Sequence, residues 1–231
     1  MSLPLTDSQF AALAKLDTCT VANAIETFDV RLRNEGFADR TIRCLTACAT
    51  PLVGYAVTVR IRCSNPPMRG HGYPDRTDWW NALLQTPSPR IVVIQDVDER
   101  PGTGSFLGEV HAGILQALGC AGAITNGTVR DAPAIEKMGF HLFASGLAVS
   151  HAYVHIVDFG RPVEIGGLAV KHGDLLHADV HGVLSVPKEI AAGIPAAAAK
   201  LIARERRVLD LCHAKDFSPD KLRDAVKGVF D

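Results

Sequence analysis

Two short apolar runs, IVVIQ at residues 91–95 and AGAIT at 121–125, constrain the fold of this chain most strongly. Continuous apolar runs of this length predict strands that are buried on both faces. Between them, FLGEVHAGILQALG at 106–119 has apolar residues at helical spacing and stops at Gly119. A strand, a loop, a helix and a second strand within about thirty residues predict a βαβ unit with a parallel pair of strands.

Further strands are predicted on both sides of this unit. LVGYAVTVRIR at 52–62 alternates and is rich in Val and Ile, which is typical of a strand. From residue 141 the chain consists of short β-branched segments that are interrupted by Gly or Pro. Gly166-Gly167 between two of these segments predicts a tight hairpin. The second half is therefore expected to be rich in strands.

Helices are predicted at both ends of the chain. Residues 6–16 have apolar positions at helical spacing, and a second short helix is expected after Thr18. A long helix is predicted at 194–211 and a final helix near 219–229. The ends are therefore expected to pack as helices around a mixed core.

A long polar loop is predicted at 64–77, where Pro, Gly and charged residues dominate. Its length makes it a candidate lid or interface element. DWWNALLQ at 78–85 is predicted to follow as a helix, in which Trp79 and Trp80 are expected to pack rather than to stack on a ligand.

Nothing in the composition divides the chain. We find neither a linker nor an internal repeat, so a single domain over 1–231 is expected. It would comprise a helical lead-in at 1–28, a core at about 50–190 and C-terminal helices at about 187–231.

Charge and cysteine usage exclude several classes of protein. The formal net charge of −1 gives no electrostatic reason to expect nucleic acid or an anionic membrane as a partner. Six cysteines without a CxxC pair indicate reduced, mostly buried thiols in a cytoplasmic protein. Residues 1–10 lack the pattern of a signal peptide, and no apolar stretch approaches the length of about 18 residues that a membrane span needs.

The candidate site lies in the loops that follow the two buried strands. The first loop holds Asp96 and Asp98 and reaches a predicted helix start at Gly108-Glu109. The second loop, within ITNGTVRDAPAIEKMGF, holds Arg130-Asp131. If the strands are neighbours, a helix N-terminus faces this Arg-Asp pair, and the two could bind an anion and a cation together.

A structural alternative for the same pair stays open. Asp131 could be an N-cap that accepts hydrogen bonds from the first turn of its own helix, with Pro133 in that turn and Arg130 an ordinary surface charge. The local sequence does not decide between this interpretation and a ligand site.

Other motifs do not indicate a known site. GTGSFLG is neither a Walker loop nor the GxGxxG of dinucleotide-binding proteins, and there is no GxSxG. His151 and His155 lack the Glu of HExxH, so a structural role is expected. Asp174 and Asp179 are expected at a turn and a strand end.

Several ordered sequence blocks of the chain resemble the RraA-like family. GEVHAGILQALGCAGAITNGTVRDAPAIEKMGFHLFASG and VEIGGLAVKHGDLLHADVHGVLSVP carry its ordered blocks, over roughly residues 90–190. The family includes 4-hydroxy-4-methyl-2-oxoglutarate aldolases and regulators of RNase E activity. The resemblance implies a mixed α/β fold of the β/β/α swivelling-domain type, similar to phosphohistidine domains, with helices at both ends. It also implies homotrimers or homohexamers with interfacial active sites.

The resemblance also implies roles for individual residues. In the aldolase branch the Asp of the RD pair holds Mg²⁺ or Mn²⁺ largely through waters, the Arg contacts a 2-oxo acid, and helix-start amides hold its carboxylate. Carried over, Asp131 is the metal residue and Arg130 contacts the substrate. The amide cradle is then formed by Gly108, Glu109, Val110 and His111. The regulator branch lacks the Asp after the Arg, so its presence favours the aldolase branch.

The expected reaction is the cleavage of a 4-hydroxy-2-oxo dicarboxylic acid to pyruvate, with oxaloacetate decarboxylation as a side activity. An enolate needs an electrophile, and no lysine in either loop could form a Schiff base, so a metal is the better fit. Arg130, Asp131 and Glu109 are the expected catalytic residues, with Glu109 a helper in proton transfer.

One departure from the family pattern keeps a rival open. An acidic residue commonly follows the RD Asp by three positions, where this chain has Ala134, and Glu136 lies on a different side of the helix. A non-catalytic regulator that binds a protein partner is therefore the alternative. A metal-dependent reaction on another oxo acid, selected by the loop at 64–77, is a third possibility.

Overall fold

A computed structural model describes residues 5–47 and 49–227 of the chain. The first four residues of the predicted lead-in, Cys48, and residues 228–231, including the end of the predicted final helix, lie outside this description.

Seven α-helices are present in the described residues, together with one 3₁₀ helix at Ala191–Gly193. The α-helices are α1 Asp7–Leu13, α2 Thr18–Glu26, α3 Arg76–Leu83, α4 Glu109–Ala117, α5 Ala132–Lys137, α6 Ile194–Cys212 and α7 Pro219–Ala225. The terminal helices predicted from the sequence are thus present.

Thirteen strands are present in the same residues. They are β1 Arg43–Cys44, β2 Leu52–Arg62, β3 Arg90–Asp96, β4 Ser105–Leu107, β5 Cys120–Thr125, β6 Thr128–Val129, β7 His141–Ala144, β8 Gly146–Leu147, β9 His155–Phe159, β10 Val163–Ile165, β11 Leu168–Val170, β12 Leu175–Asp179 and β13 Gly182–Val186. Seven of the thirteen follow residue 140, so the second half is rich in strands, as predicted.

The main sheet is mixed and nearly closed, and it gives the mixed α/β fold that the resemblance implied. Its strands follow the order β1-β7-β5-β3-β2-β12-β13, and β9 pairs with the far half of β2. The neighbours β2, β3, β5 and β7 are parallel, whereas β12, β13, β9 and β1 are antiparallel to their partners. The predicted βαβ unit is therefore β3-α4-β5.

Both faces of this sheet are buried, which explains the continuous apolar runs. In β3, Val92 and Ile94 face a core formed with α3, α4 and α5. Ile91 and Val93 face a second core, which the β10–β11 hairpin covers. The hairpin turns at Gly166-Gly167, where both residues have positive φ (54° and 75°), as its two-residue loop requires. A third core joins α1, α2 and α6 to the sheet.

A second, three-stranded parallel sheet corrects one prediction. The helix expected from residue 106 begins only at Glu109, because Ser105–Leu107 is the strand β4. This strand pairs with β6, which pairs in turn with β8. Ser105, Phe106 and Leu107 are buried, so their apolar pattern reflects burial in a sheet and not a helical face.

The helix after the long loop also begins earlier than predicted. Asp75 caps α3, with its Oδ1 accepting from the amide of Asp78 at 2.9 Å, so the helix starts at Arg76 rather than at residue 78. The loop before it is mostly exposed. Trp79 is fully buried, as expected for a packing residue.

None of the five cysteines that the structure describes forms a disulfide. Cys63 and Cys120 are buried, but Cys19 and Cys212 are exposed, so the expectation that most are buried was too broad. Within residues 5–47 and 49–227, no helix combines the length and the apolar character needed to cross a bilayer.

Candidate active site

The small sheet brings two segments of the site together. β4 leads through Gly108 directly into α4, and β6 leads directly into Arg130 and Asp131. The two strands are parallel neighbours, and the amide of Arg130 donates to the carbonyl of Leu107 at 3.0 Å. The N-terminus of α4 therefore lies beside the Arg-Asp pair, which is the juxtaposition expected from the sequence.

Asp131 adopts a left-handed backbone conformation, with φ 58° and ψ 25°. Its side chain does not cap α5, so the interpretation of this residue as a side-chain N-cap was wrong. Instead, Oδ2 accepts from the amide of Glu109 at 3.2 Å and lies 3.4 Å from Nε of Arg130. The left-handed conformation turns the carboxylate away from its own helix and towards α4. Such a conformation is uncommon outside glycine, although Asp tolerates it better than most residues.

Gly108 permits this close approach. A Cβ atom at this position would lie 2.7 Å from Oδ2 of Asp131 and 3.0 Å from Nε of Arg130. Other residues can also adopt the φ of Gly108, which is −132°. Glycine is therefore needed here for lack of space and not for its backbone conformation. The pair can reach the start of α4 only because residue 108 has no side chain.

The Arg130–Asp131 pair separates two open clefts. The first encloses about 530 Å³ of open space and is lined by α4 residues 109–111, by Ile114, and by Arg76 and Trp80 from α3. The second encloses about 930 Å³ and is lined mainly by residues 147–150 and by the start of α5. Both side chains of the pair are about two-thirds covered, at 33 % and 40 % exposure. A ligand in either cleft would therefore meet both charges.

The amides at the start of α4 are one component of the candidate site. The first amides of an α-helix have no acceptor within the helix, and no side chain caps α4 at Gly108. Since Asp131 occupies the amide of Glu109, the amides of Val110 and His111 are those available to an anion. The helix dipole favours a negative charge at this point.

The side chain of His111 belongs to the core. Its Nδ1 lies 3.2 Å from the carbonyl oxygen of Phe106, which can only accept, so Nδ1 carries the proton. Burial lowers the pKa of His111 to about 4. The ring is therefore neutral at pH 7, and its Nε2 has no partner in the described structure. His111 packs edge-on against Trp79 and Phe106, which fixes the start of α4.

The wall that α3 forms in the first cleft was only partly foreseen. The loop at 64–77 was expected to act as a lid or to select the substrate, and its residue Arg76 does line the cleft. Both tryptophans were expected to pack, but only Trp79 is fully buried, whereas Trp80 lines the cleft. The periodicity of an eight-residue helix does not show which of two adjacent tryptophans faces the core. His151, expected to be structural, also lines this cleft.

A second acidic cluster lies next to the site. Cys63, Asp96 and Asp98 form the one group of three possible metal ligands found in the described chain, with ligand atoms within 4.8 Å of one another. Both carboxylates accept hydrogen bonds from backbone amides. Asp96 accepts from the amides of Asp98 and Gly102. Asp98 accepts from the amides of Cys63 and Ser64.

The protonation of this cluster disfavours a metal. Burial raises the pKa of the Cys63 thiol to about 12 and also raises the pKa of Asp96. Burial opposes the ionisation of Asp98 as well, but the two amide hydrogen bonds outweigh it and lower its pKa. A protonated thiol is a poor metal ligand. The cluster is therefore better explained as a group of hydrogen bonds that joins the loop after β2 to the loop after β3.

The other acidic residues considered from the sequence, Glu136, Asp174 and Asp179, accept hydrogen bonds from backbone amides. Glu136 accepts from the amide of Ala47 at 2.7 Å, so it cannot replace an acidic residue at position 134. Asp174 accepts from the amide of Lys171 in a turn, and Asp179 accepts from the amides of Thr18 and His181. Both have the turn and strand-end roles expected from the sequence.

The fold and the paired site define a class of proteins. The chain belongs to the RraA-like family, because the model of that family, described as Aldolase/RraA, matches residues 18–185. Over 102 residues the chain is 29 % identical to a protein of Halalkalibacterium halodurans named "Putative 4-hydroxy-4-methyl-2-oxoglutarate aldolase". That match covers 44 % of this chain and 48 % of the relative, so it spans about half the length of each.

Solved structures show the same fold. An uncharacterized protein from Pseudomonas syringae pv. tomato aligns with a TM-score of 0.74 and 21 % identity, over 96 % of each chain. RraAS2 from Streptomyces coelicolor, described as an unusual member of the RNase ES inhibitor RraA protein family, aligns with a TM-score of 0.67 and 21 % identity. That alignment covers 88 % of this chain and 96 % of RraAS2.

Proposed function

We propose that this protein is a divalent-metal-dependent lyase that cleaves 4-hydroxy-2-oxo dicarboxylic acids of the 4-hydroxy-4-methyl-2-oxoglutarate type to pyruvate. One observation carries the proposal: the carboxylate of Asp131 and the guanidinium of Arg130 share a cleft with the N-terminus of α4. Family membership and the name of the Halalkalibacterium relative support this class of reaction.

The oxygen atoms at Asp131 suit a hard cation such as Mg²⁺ or Mn²⁺. Oδ2 accepts a hydrogen bond from the amide of Glu109 and pairs with the guanidinium of Arg130. Oδ1 makes no hydrogen bond with the described residues. A single carboxylate leaves most of the coordination to waters and substrate oxygens, which is typical of Mg²⁺. When bound, the cation supplies an electrophile that draws electrons towards the 2-oxo group.

The chain's own residues provide orientation and charge. The amides of Val110 and His111 bind the C1 carboxylate of the substrate, and Arg130 lies beside the oxygen on which negative charge develops. The 4-hydroxyl group loses its proton, the C3–C4 bond breaks, and its electron pair forms the enolate of pyruvate. Glu109, whose side chain lines the cleft, is the carboxylate placed to accept that proton. C3 then takes up the proton that Glu109 accepted, which gives pyruvate, and C4 becomes the carbonyl carbon of the second product.

Oxaloacetate decarboxylation is a side activity in this proposal. Loss of CO₂ from oxaloacetate leaves the same pyruvate enolate, so the same cation, Arg130 and helix-start amides would stabilise it. An enzyme that cleaves the 4-hydroxy acid should therefore also release pyruvate from oxaloacetate.

We further propose that the active form is a homotrimer or a homohexamer with the site at a subunit interface. Large apolar side chains surround the two clefts and are open to solvent in the single chain: Val149 is 97 % exposed and Val110 is 79 % exposed. Leu147 is exposed on the same rim. A second subunit would cover this apolar rim and enclose the charged pair.

A coupled assay tests the function. The purified protein is given 4-hydroxy-4-methyl-2-oxoglutarate, related 4-hydroxy-2-oxo acids or oxaloacetate, and lactate dehydrogenase reports pyruvate through loss of NADH. Pyruvate release should require Mg²⁺ or Mn²⁺, stop with excess EDTA and return when the metal is restored. Absence of pyruvate from every substrate, together with absence of metal binding in calorimetry, would contradict the proposal.

That negative result would favour a non-catalytic regulator that binds a protein partner. One observation supports this alternative: position 134 is Ala, and Glu136 is held by the amide of Ala47. The waters around a cation at Asp131 would thus lack a carboxylate that the family pattern commonly provides, which would weaken metal binding.

A further inference from the structure

The first cleft is lined by a second cation besides Arg130. Arg76, the first residue of α3, lines this cleft, and its Cζ lies 5.4 Å from the ring centroid of Phe106. No carboxylate of the described chain lies within ion-pairing distance of its guanidinium. The cleft therefore contains one guanidinium paired with a carboxylate and one without such a partner.

The position of Arg76 does not stabilise its own helix. The first turn of a helix favours negative side chains, because the helix dipole is positive there, and an Arg at this point is electrostatically unfavourable. Its stacking on Phe106 offsets only part of that cost. A cation that is unpaired, solvent-exposed and disfavoured by its helix, yet lines a cleft, is consistent with a role in binding an anion.

Part of the lining of this cleft is apolar. Trp80, Phe106 and Ile114 line the same cleft as Arg76 and the start of α4. Such a surface suits a short carbon chain that carries an anionic group at each end. One end would meet the amides of Val110 and His111 beside Arg130, and the other would meet Arg76.

We infer that Arg76 is a specificity residue that binds the distal carboxylate of a 2-oxo dicarboxylic acid, while Trp80 and Ile114 contact the carbon chain between its two carboxylates. The inference rests on the proposed function for the orientation of the substrate. It adds a residue that distinguishes dicarboxylic from monocarboxylic oxo acids, through the two parallel hydrogen bonds that a guanidinium can donate to a carboxylate.

The test compares substrates that differ only in the distal carboxylate. For R76Q, kcat/KM on 4-hydroxy-4-methyl-2-oxoglutarate should fall about 10- to 100-fold, mainly through KM, as expected for loss of a charged hydrogen bond. On 4-hydroxy-4-methyl-2-oxopentanoate, R76Q should equal the wild type. R76K keeps the positive charge but cannot donate two parallel hydrogen bonds, so its kcat/KM on the dicarboxylic substrate should lie between those of R76Q and the wild type. R69Q, which removes an exposed Arg from the preceding loop, should resemble the wild type on both substrates.

A binding measurement separates this inference from the proposed function. Calorimetry in MgCl₂ compares 2-oxoglutarate with 2-oxopentanoate, which have equal chain length and are not cleaved by the proposed reaction. The wild type should bind 2-oxoglutarate about 10-fold or more tightly than 2-oxopentanoate, and R76Q should remove that difference. If no substrate is cleaved but this preference is found, only the proposed function fails. An equal effect of R76Q on both ligands, or no effect, overturns the role of Arg76.

Discussion

Oδ2 of Asp131 accepts a hydrogen bond from the backbone amide of Glu109 at 3.2 Å, across two different helices. The carboxylate thus binds the start of α4 rather than its own helix, and it also contacts Arg130. This relationship links the candidate cation residue and the candidate anion cradle in a single geometry. Five predictions test what it and its surroundings do.

Removing the charge of Asp131 should remove activity without unfolding the protein. Asn also tolerates the left-handed conformation and keeps one oxygen to accept from Glu109, so D131N should retain the backbone. Metal-dependent pyruvate release should fall by at least ~100-fold, the size of losing a key electrostatic group. The coupled assay measures this loss and circular dichroism checks the fold. D210N, at an exposed carboxylate of α6, is the control. Activity of D131N near that of D210N would contradict the assignment.

Adding a single methyl group at Gly108 should disturb the site. In G108A the new Cβ would lie 2.7 Å from Oδ2 of Asp131, so the Arg130–Asp131 pair must move away from α4. We expect kcat/KM to fall about 10-fold or more, since small misplacements in an active site are costly. G113A is the matched control, because its Cβ would meet only Met138 Cε at an ordinary 3.5 Å. It should be as active as the wild type and slightly more stable. Equal activity of the two variants would show that residue 108 has room for a side chain.

Metal titration should distinguish Asp131 from the Cys63–Asp96–Asp98 cluster. D98N should bind Mg²⁺ or Mn²⁺ as the wild type does but be less stable by about 1–2 kcal/mol, because the amides of Cys63 and Ser64 lose a charged acceptor. D131N should lose metal binding. Isothermal calorimetry and thermal denaturation measure the two effects. The reverse pattern, with binding lost in D98N and kept in D131N, would place the metal at the cluster.

Stability should fall in mild acid because of His111. Burial lowers its pKa to about 4 in the folded chain, from the ordinary histidine value of 6.5. Above pH 6.5 His111 is neutral in both the folded and the unfolded chain, so it adds nothing to the pH dependence of stability. Between pH 6.5 and 4 the unfolded chain binds a proton that the folded chain does not, so stability is lost as pH falls. From pH 7.5 to 5 this amounts to about 2 kcal/mol.

Urea denaturation at the two pH values measures this loss. H111F keeps a ring in the aromatic cluster but cannot titrate, so its free energy of unfolding should depend less on pH than that of the wild type. H213Q, which changes an exposed histidine in the cap of α6, should keep the wild-type dependence. An unchanged pH dependence in H111F would show that His111 is not the group responsible.

A charge on the apolar rim should prevent assembly. V149E places a carboxylate where the side chain is 97 % exposed beside the second cleft, and we expect it to shift a trimer or hexamer towards monomers. V180E is the control, because Val180 is 66 % exposed but lies in the turn between β12 and β13. Light scattering after gel filtration measures the mass. A V149E protein that keeps the wild-type mass would exclude this rim as the interface.

The sequence predicted well the parts of the fold that depend on local patterns. β3 and β5 were predicted because strands buried on both faces contain uninterrupted apolar residues, and Gly166-Gly167 indicated its hairpin because both residues need positive φ. From the expected parallel pairing of β3 and β5, the loop with Arg130-Asp131 was predicted to face the start of the helix at Glu109. These predictions needed only the periodicity of the chain and the conformational freedom of glycine.

The errors occurred where distant contacts decide the structure. Phe106 and Leu107 were predicted as helix, but the strand Ser105–Leu107 pairs with residues 128–129, a contact that local spacing does not encode. The sequence alone could not show that Asp131 would leave its own helix, because that depends on the left-handed backbone and on the space beside Gly108. Likewise, the orientation of Trp80 depends on how α3 packs on the core.

The parallel pairing of β4 with β6 has a consequence for how related proteins can diverge. A shift of one strand would displace the cation residue and the anion cradle together, so this half of the site tolerates little independent change. The α3 segment arrives from a long exposed loop and takes no part in that strand pairing. New preferences for the remote end of an oxo acid would therefore arise by exchanging residues there, while the chemistry beside Asp131 stays constant.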